Sequence, residues 1–102
     1  IERLLLECLL KTGKPEQALP FCEKMISDAK VELYDFMMIG HVYFALGDNA
    51  KALECYRKSC KEQSDGVFYF TKEEQALLQS LGVSALSVSL MIDSVMNNMS
   101  QN

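Results

Sequence analysis

The sequence predicts an all-α fold built from tandem antiparallel helix pairs. Apolar residues recur with the period of a helix, and no segment alternates between apolar and polar residues as a half-buried strand would. Glycine and an alanine–leucine pair also return after 34 residues, which is the length of a helix–turn–helix repeat. These observations place the chain in the all-α class.

The internal repeat appears when the sequence is compared with itself at a shift of 34 residues. Glycine recurs at the predicted turns, and Ala-Leu recurs about five residues further on, inside the next helix. The matched positions are Gly13 with Gly47, Ala18 with Ala52, Leu19 with Leu53, Lys24 with Lys58, Leu5 with Ile39, Leu9 with Tyr43 and Leu10 with Phe44.

The first helix pair is bounded by residues with known terminal preferences. Helix α1 is expected from the start of the chain to about Thr12, because Gly13 is the usual residue after a helix end. Helix α2 is expected to begin near Pro15, since proline is favoured in the first turn. Pro20 lies deeper in α2 and should bend it slightly by removing one backbone hydrogen bond.

The second pair follows the same plan. Helix α3 is expected over residues 33–46 and ends at Gly47. Asp48 is the expected N-cap of helix α4, which runs to about residue 62.

The third pair follows a Ser-Asp-Gly break. Thr71 and Glu74 have the spacing of a capping box, so helix α5 is expected from Thr71, or already from Val67. Gly82 interrupts the chain again, and helix α6 is expected over residues 84–99.

The second pair resembles the tetratricopeptide repeat. In that family a large aromatic residue precedes a Leu-Gly pair and a tyrosine, and a Gly-Asp turn then leads to Ala-Leu and another aromatic residue. The corresponding residues here are Phe36, Ile39, Gly40, Tyr43, Phe44, Leu46, Gly47, Asp48, Ala52, Leu53, Glu54, Tyr56 and Lys58. The resemblance implies an α-α solenoid, in which helix pairs stack as a right-handed superhelix because one pair cannot bury its apolar face alone.

We interpret residues 1–102 as a single domain fragment of this family. Residues 1–32 form a first repeat with a truncated opening, residues 33–66 form the second, and residues 67–102 form a divergent third helix pair or cap. The chain opens inside a helical pattern without an initiator methionine, so we expect it to be a piece of a longer protein.

Small residues mark the expected crossing of α3 and α4. Gly40 and Ala52 lie there, and a larger side chain at either position would push the two helix axes apart. Phe36, Tyr43 and Tyr56 are expected to fill the space between neighbouring pairs.

The composition argues against several classes of function. Ten Lys and Arg residues stand against fourteen Asp and Glu residues, and the resulting net charge of −4 argues against a nucleic-acid partner. No apolar run approaches the ~20 residues that a membrane span needs, and no signal peptide is recognisable. We therefore expect a cytoplasmic protein that has neither a membrane partner nor a cofactor.

The cysteines and the single histidine do not form a recognisable reactive site. Cys8, Cys22, Cys55 and Cys60 lack the spacing of a zinc site, so we expect reduced thiols that act as small core residues, and no metal. The helical phase should turn Cys8 away from His41, which argues against Cys–His catalysis. We predict no catalytic residue and expect that the chain is not an enzyme.

Helix α3 carries two apolar stripes, where an ordinary surface helix carries one. The second stripe comprises Tyr34, Met37, Met38, His41, Phe44 and Ala45. The resemblance implies that this stripe lies on the concave wall of the repeat, where it would bind a peptide or helix of a partner protein. Methionine and aromatic side chains would make that groove apolar and adaptable. Alternatively, a neighbouring repeat helix or α6 covers the stripe and makes it ordinary core.

The corresponding face of α1 is polar. Arg3 and Glu7 are expected to form a rim of the groove, although Arg3, Glu7 and Lys11 also have the spacing of a self-paired, solvated face. The best-known ligand of the family is the acidic C-terminal peptide of a chaperone, which is held by Lys, Asn and Arg. Glu7 and Met38 stand where that site needs asparagine, and Glu7 would repel a carboxylate, so the sequence argues against this ligand.

Helix α6 is apolar around more than half of its circumference, whereas a terminal helix normally has a polar outer face. One side should pack on α5 and α4. We expect the remainder, with Leu90, Val95 and Met99, to contact a second copy of the chain. A homodimer formed through α6 is therefore the alternative function to peptide binding.

Overall fold

The computed structural model describes residues 2–28, 31–60 and 69–100, with side chains for 4–28, 31–32, 35–59 and 69–97. These residues form six α-helices and no strand, which confirms the all-α class. The helices are α1 (Glu2–Lys11), α2 (Pro15–Ser27), α3 (Leu33–Ala45), α4 (Asn49–Cys60), α5 (Lys72–Ser80) and α6 (Ala85–Ser100).

Consecutive helices pack in pairs, and the pairs stack in two different ways. Helix α1 packs on α2, α3 on α4, and α5 on α6. The second pair contacts the first through α3, which lies against both α1 and α2. The third pair contacts the second mainly through α6, which lies against α4. The third pair therefore departs from the stacking of the first two, as its divergent sequence suggests.

The turns and caps form as the sequence predicts. Gly47 has a φ of +86°, in the left-handed region that a glycine adopts most easily. Its N–H donates to the carbonyl of Phe44 (3.1 Å) and the N–H of Asp48 donates to that of Tyr43 (2.9 Å), which closes α3 with a Schellman motif. Asp48 Oδ1 then accepts the N–H of Lys51 at 3.2 Å and caps α4.

The predicted capping box of α5 is confirmed. The N–H of Glu74 donates to Thr71 Oγ1 (3.1 Å), and the N–H of Thr71 donates to Glu74 Oε1 (2.9 Å). Helix α5 begins at Lys72. The earlier start at Val67 and the predicted end of α4 near residue 62 lie outside the described residues.

The close crossing of α3 and α4 depends on Gly40. A Cβ atom built on Gly40 would lie 2.6 Å from Cε1 of Tyr56, so only glycine lets the tyrosine ring approach this closely. Tyr56 and Ala52 are both fully buried. In the first pair, Leu6 corresponds to Gly40 and Cys22 corresponds to Tyr56, and both Leu6 and Cys22 are fully buried. The first pair therefore has its larger side chain on its first helix, whereas the second pair has its larger side chain on its second helix.

The cysteines differ in burial. Cys22 and Cys55 are buried free thiols, as expected, and burial raises the pKa of Cys22 to about 12 and that of Cys55 to about 11. Cys8 is exposed, so its assignment to the core is wrong. Its repeat counterpart Val42 is buried in α3, which packs on α1 and α2, whereas within the described residues no helix precedes α1 to cover Cys8. The side chain of Cys60 lies outside the described residues.

Helix α6 directs most of its apolar residues into its own chain. Val95 is fully buried, and Val88 and Met91 are nearly so, because α6 packs on both α4 and α5. The expectation that Val95 contacts a second copy is therefore wrong. Leu90 is 57% exposed and Leu86 is 69% exposed. The side chain of Met99 lies outside the described residues.

Gly40→Ala should destabilise the protein, although alanine is the better helix former. The new methyl group would collide with a buried ring, and overpacking of this kind costs about 1–3 kcal/mol. At an open helical position the same exchange would stabilise by up to about 1 kcal/mol. Urea unfolding measures the difference, with the exposed Ser89→Ala in α6 as the control. A Gly40→Ala protein more stable than wild type would contradict the Gly40–Tyr56 contact.

Candidate functional site

A cleft with a volume of about 690 Å³ opens between the first helices of the three pairs. Its lining includes Met37, Met38 and His41 of the predicted groove. Its lining comes from α1 (Glu7 and Lys11), α3 (Met37, Met38 and His41), the end of α4 (Ser59), and α5 with its cap (Thr71, Glu73, Glu74, Ala76, Leu77 and Ser80).

The second stripe of α3 is divided between this cleft and the core. Met37 is half-buried and lines the cleft, and Met38 also lines it but is only 7% exposed. His41 reaches the cleft wall with 0% exposure. Phe44 is 4% exposed and does not line the cleft; its ring packs edge-on against Tyr56 at 6.1 Å. For Met38, His41 and Phe44 the low exposure matches the alternative that other helices of the chain cover the stripe, whereas Met37 remains accessible from the cleft.

The polar rim predicted on α1 is present in part. Glu7 lines the cleft, and its Oε1 lies 3.5 Å from Nζ of Lys11, one turn further along the helix. This pair corresponds to the self-paired alternative, although both members still face the cleft. The side chains of Arg3 and Tyr34, which completed the predicted site, lie outside the described residues.

A network of hydrogen-bonded side chains lies beneath the cleft and connects three helices. Nδ1 of His41 lies 2.7 Å from the hydroxyl of Tyr56, and Nε2 lies 3.1 Å from Oε2 of Glu74. The ring of Phe70 packs 5.5 Å from His41 and 5.1 Å from Tyr56. This cluster joins α3 and α4 to the start of α5, so it fixes the position of the α5 wall.

The acceptor groups of this network determine where its hydrogen atoms lie. A carboxylate can only accept, so Nε2 of His41 carries hydrogen and donates it to Glu74. In the tautomer that carries its hydrogen only on Nε2, Nδ1 accepts from the Tyr56 hydroxyl. That hydroxyl keeps its proton, since burial, followed by the nearby charge of Glu74, raises the pKa of Tyr56 well above its ordinary value.

The carboxyl group of Glu74 stays ionised. Burial raises the pKa of Glu74, but hydrogen bonds from His41 and from the backbone of Thr71 outweigh this and hold it below the ordinary glutamate value. Its negative charge is therefore part of the cleft wall.

Sequence reasoning missed the α5 wall. Leu46-Gly47 and Leu81-Gly82 are 35 residues apart, and the same offset carries Met38, His41 and Ala45 onto Glu73, Ala76 and Ser80. All three of these α5 residues line the cleft. Extending the groove assignment from α3 to α5 at this offset would have found them.

The described residues contain no group of three or more His, Cys, Asp or Glu side chains able to hold a metal ion. In the same part of the chain, no helix has the length and apolar character of a membrane span.

The helix pairs define a helical-repeat protein, a class in which the concave surface of the stack is formed by one helix of each pair. Residues 36–65 match the family model of the tetratricopeptide repeat. The second helix pair is therefore similar to a tetratricopeptide repeat, and repeats of this family are generally protein–protein interaction modules. A search of curated proteins and a search of solved structures each gave no significant match.

Glu74→Gln should make stability less dependent on pH in acid. Glutamine has one carbonyl oxygen in place of the two carboxylate oxygens that accept from His41 and Thr71, so the variant removes the charge and one of these hydrogen bonds. Because the folded pKa of Glu74 is lowered, its charge stabilises the fold fully above the unfolded pKa of about 4.3. That contribution is lost as the pH falls through the folded value.

Urea unfolding across a pH series measures this effect. Wild type should be more stable than Glu74→Gln near neutral pH, and the two proteins should converge in strong acid. A difference that stays constant at every pH would show that the charge of Glu74 is not the stabilising feature.

Proposed function

We propose that this chain binds a peptide or helix of a partner protein in the cleft between α1, α3 and α5, and that it does so without catalysis. The observation that carries the proposal is the cleft itself, an open concavity whose lining includes the apolar side chains of Met37, Met38 and Leu77. Its volume of about 690 Å³ falls within the range of about 300–1,000 Å³ that is usual for ligand sites.

The chemistry of the lining supports binding rather than reaction. His41, the only histidine, is fully buried and engaged at both ring nitrogens, so it is poorly placed to exchange protons with a ligand. The exposed thiol of Cys8 is not part of the lining. Methionine side chains adapt to varied apolar partners, which suits recognition of a protein segment.

Ala76→Arg should abolish binding while leaving the fold intact. Ala76 is exposed and lines the cleft, so a long side chain there occupies the space of the ligand. Surface substitutions usually change stability by less than about 0.5 kcal/mol. Gln79→Arg is the matched control, because Gln79 is exposed on the same helix but does not line the cleft.

A random peptide library displayed on phage provides the ligands for this test. Peptides enriched on wild type should bind Gln79→Arg with unchanged affinity. They should no longer bind Ala76→Arg, as measured by fluorescence anisotropy. Failure to enrich any peptide, or equal binding to both variants, would overturn the proposal.

Self-association through α6 is a second candidate, favoured by one observation. Leu86 and Leu90 are exposed one turn apart, and Leu90 borders a small groove of about 250 Å³ between α4 and α6. Two leucines form a small patch compared with the ~800 Å² per partner of a stable interface. For this reason we rank self-association below peptide binding.

Sedimentation distinguishes the two functions. If α6 mediates a dimer, Leu90→Asp should give a monomer and the neighbouring exposed Ser89→Asp should not. Val95→Asp is unsuitable for this test, because a charge at that fully buried position would unfold the chain. A wild type that is monomeric at all accessible concentrations removes self-association as a function.

A further inference from the structure

The proposed peptide cleft has an acidic rim. Its lining contains three carboxylates, from Glu7, Glu73 and Glu74, and a single ammonium group, from Lys11. Glu74 is bound to His41, and Glu7 lies 3.5 Å from Lys11, so two of the three carboxylates already have a partner. Glu73 is exposed in the first turn of α5, and it forms no ion pair with the described side chains of residues 4–28, 31–32, 35–59 and 69–97.

Charge complementarity determines what this rim attracts. An acidic segment would meet unfavourable charge from Glu73 on the α5 wall and from Glu7 on the α1 wall. A lysine or arginine would instead form an ion pair with Glu73. It could also compete for Glu7, because Lys11 is a long, exposed side chain whose contact with Glu7 is readily exchanged. The low dielectric constant of the cleft walls strengthens the negative electrostatic potential of these carboxylates.

The charged and apolar features of the α5 wall lie within reach of one segment. Glu73 is followed by Ala76 and Leu77 at the i+3 and i+4 positions, so all three lie on the same face of α5. Met37 lines the cleft from α3 and continues the apolar surface. A segment that runs along α5 can therefore contact a carboxylate and an apolar floor one turn apart.

Resting on the proposed function, we infer that the cleft binds a basic amphipathic segment of a partner protein. A lysine or arginine side chain of that segment pairs with Glu73, and a neighbouring apolar side chain lies on Met37 and Leu77.

Two short amphipathic model peptides test this inference. They share the same leucine positions and differ only in carrying lysine or glutamate at the remaining positions. Anisotropy should show binding of the lysine peptide that weakens as salt is added, and weaker or no binding of the glutamate peptide. Glu73→Gln should reduce the affinity for the lysine peptide about two- to fivefold, as expected for an exposed ion pair. Glu23→Gln, a charge removal on the exposed face of α2, should leave that affinity unchanged.

The outcomes separate this inference from the proposed function. Equal or tighter binding of the glutamate peptide, blocked by Ala76→Arg, would keep the cleft as a peptide site and overturn its preference for basic segments. Equal effects of Glu73→Gln and Glu23→Gln would also overturn it, since binding would then follow total charge. If neither model peptide binds, the inference fails, and the library selection decides separately whether the cleft binds peptides at all.

Discussion

The contact between Gly40 and the ring of Tyr56 is the constraint on which the rest of the structure depends. Because Gly40 has no Cβ, the ring lies directly against the backbone of α3, and the two helices of the second pair cross closely. From that position the hydroxyl of Tyr56 reaches His41, and the ring edge meets Phe44 and Phe70. One missing side chain on α3 thus orients a tyrosine on α4, which in turn fixes the only histidine.

The same cluster explains why a cleft exists. The third pair stacks mainly through α6 against α4, so α5 is not packed broadly on α3. Instead, Glu74 and Phe70 attach the start of α5 to His41 and Tyr56. The wall is anchored beneath its first turn, and the space beside Met37 and Leu77 is left open. Buried groups that are fully hydrogen-bonded favour a single arrangement, since breaking one bond leaves the other partners unsatisfied.

The candidate site was only partly predictable for a related reason. Periodicity grouped Met37 and Met38 in one stripe, the resemblance to the repeat family implied that this stripe is concave, and both residues line the cleft. Periodicity could not show that α5 would cover His41, since that depends on how the third pair docks. Val95 was assigned to a dimer surface on the same incomplete basis, because the breadth of an apolar arc does not reveal which neighbours cover it.

The sequence by itself determined the six helices and the turns and caps that bound several of them. The 34-residue period, the glycines after α1 and α3, and the capping box of Thr71 and Glu74 act over a few neighbouring residues, so they can be read locally. Only the tertiary structure decided which faces are covered and which carboxylates face the cleft. Burial and the pKa of Glu74 arise from contacts between residues far apart in the chain, such as His41 with Glu74, and no local pattern records the stacking that brings them together.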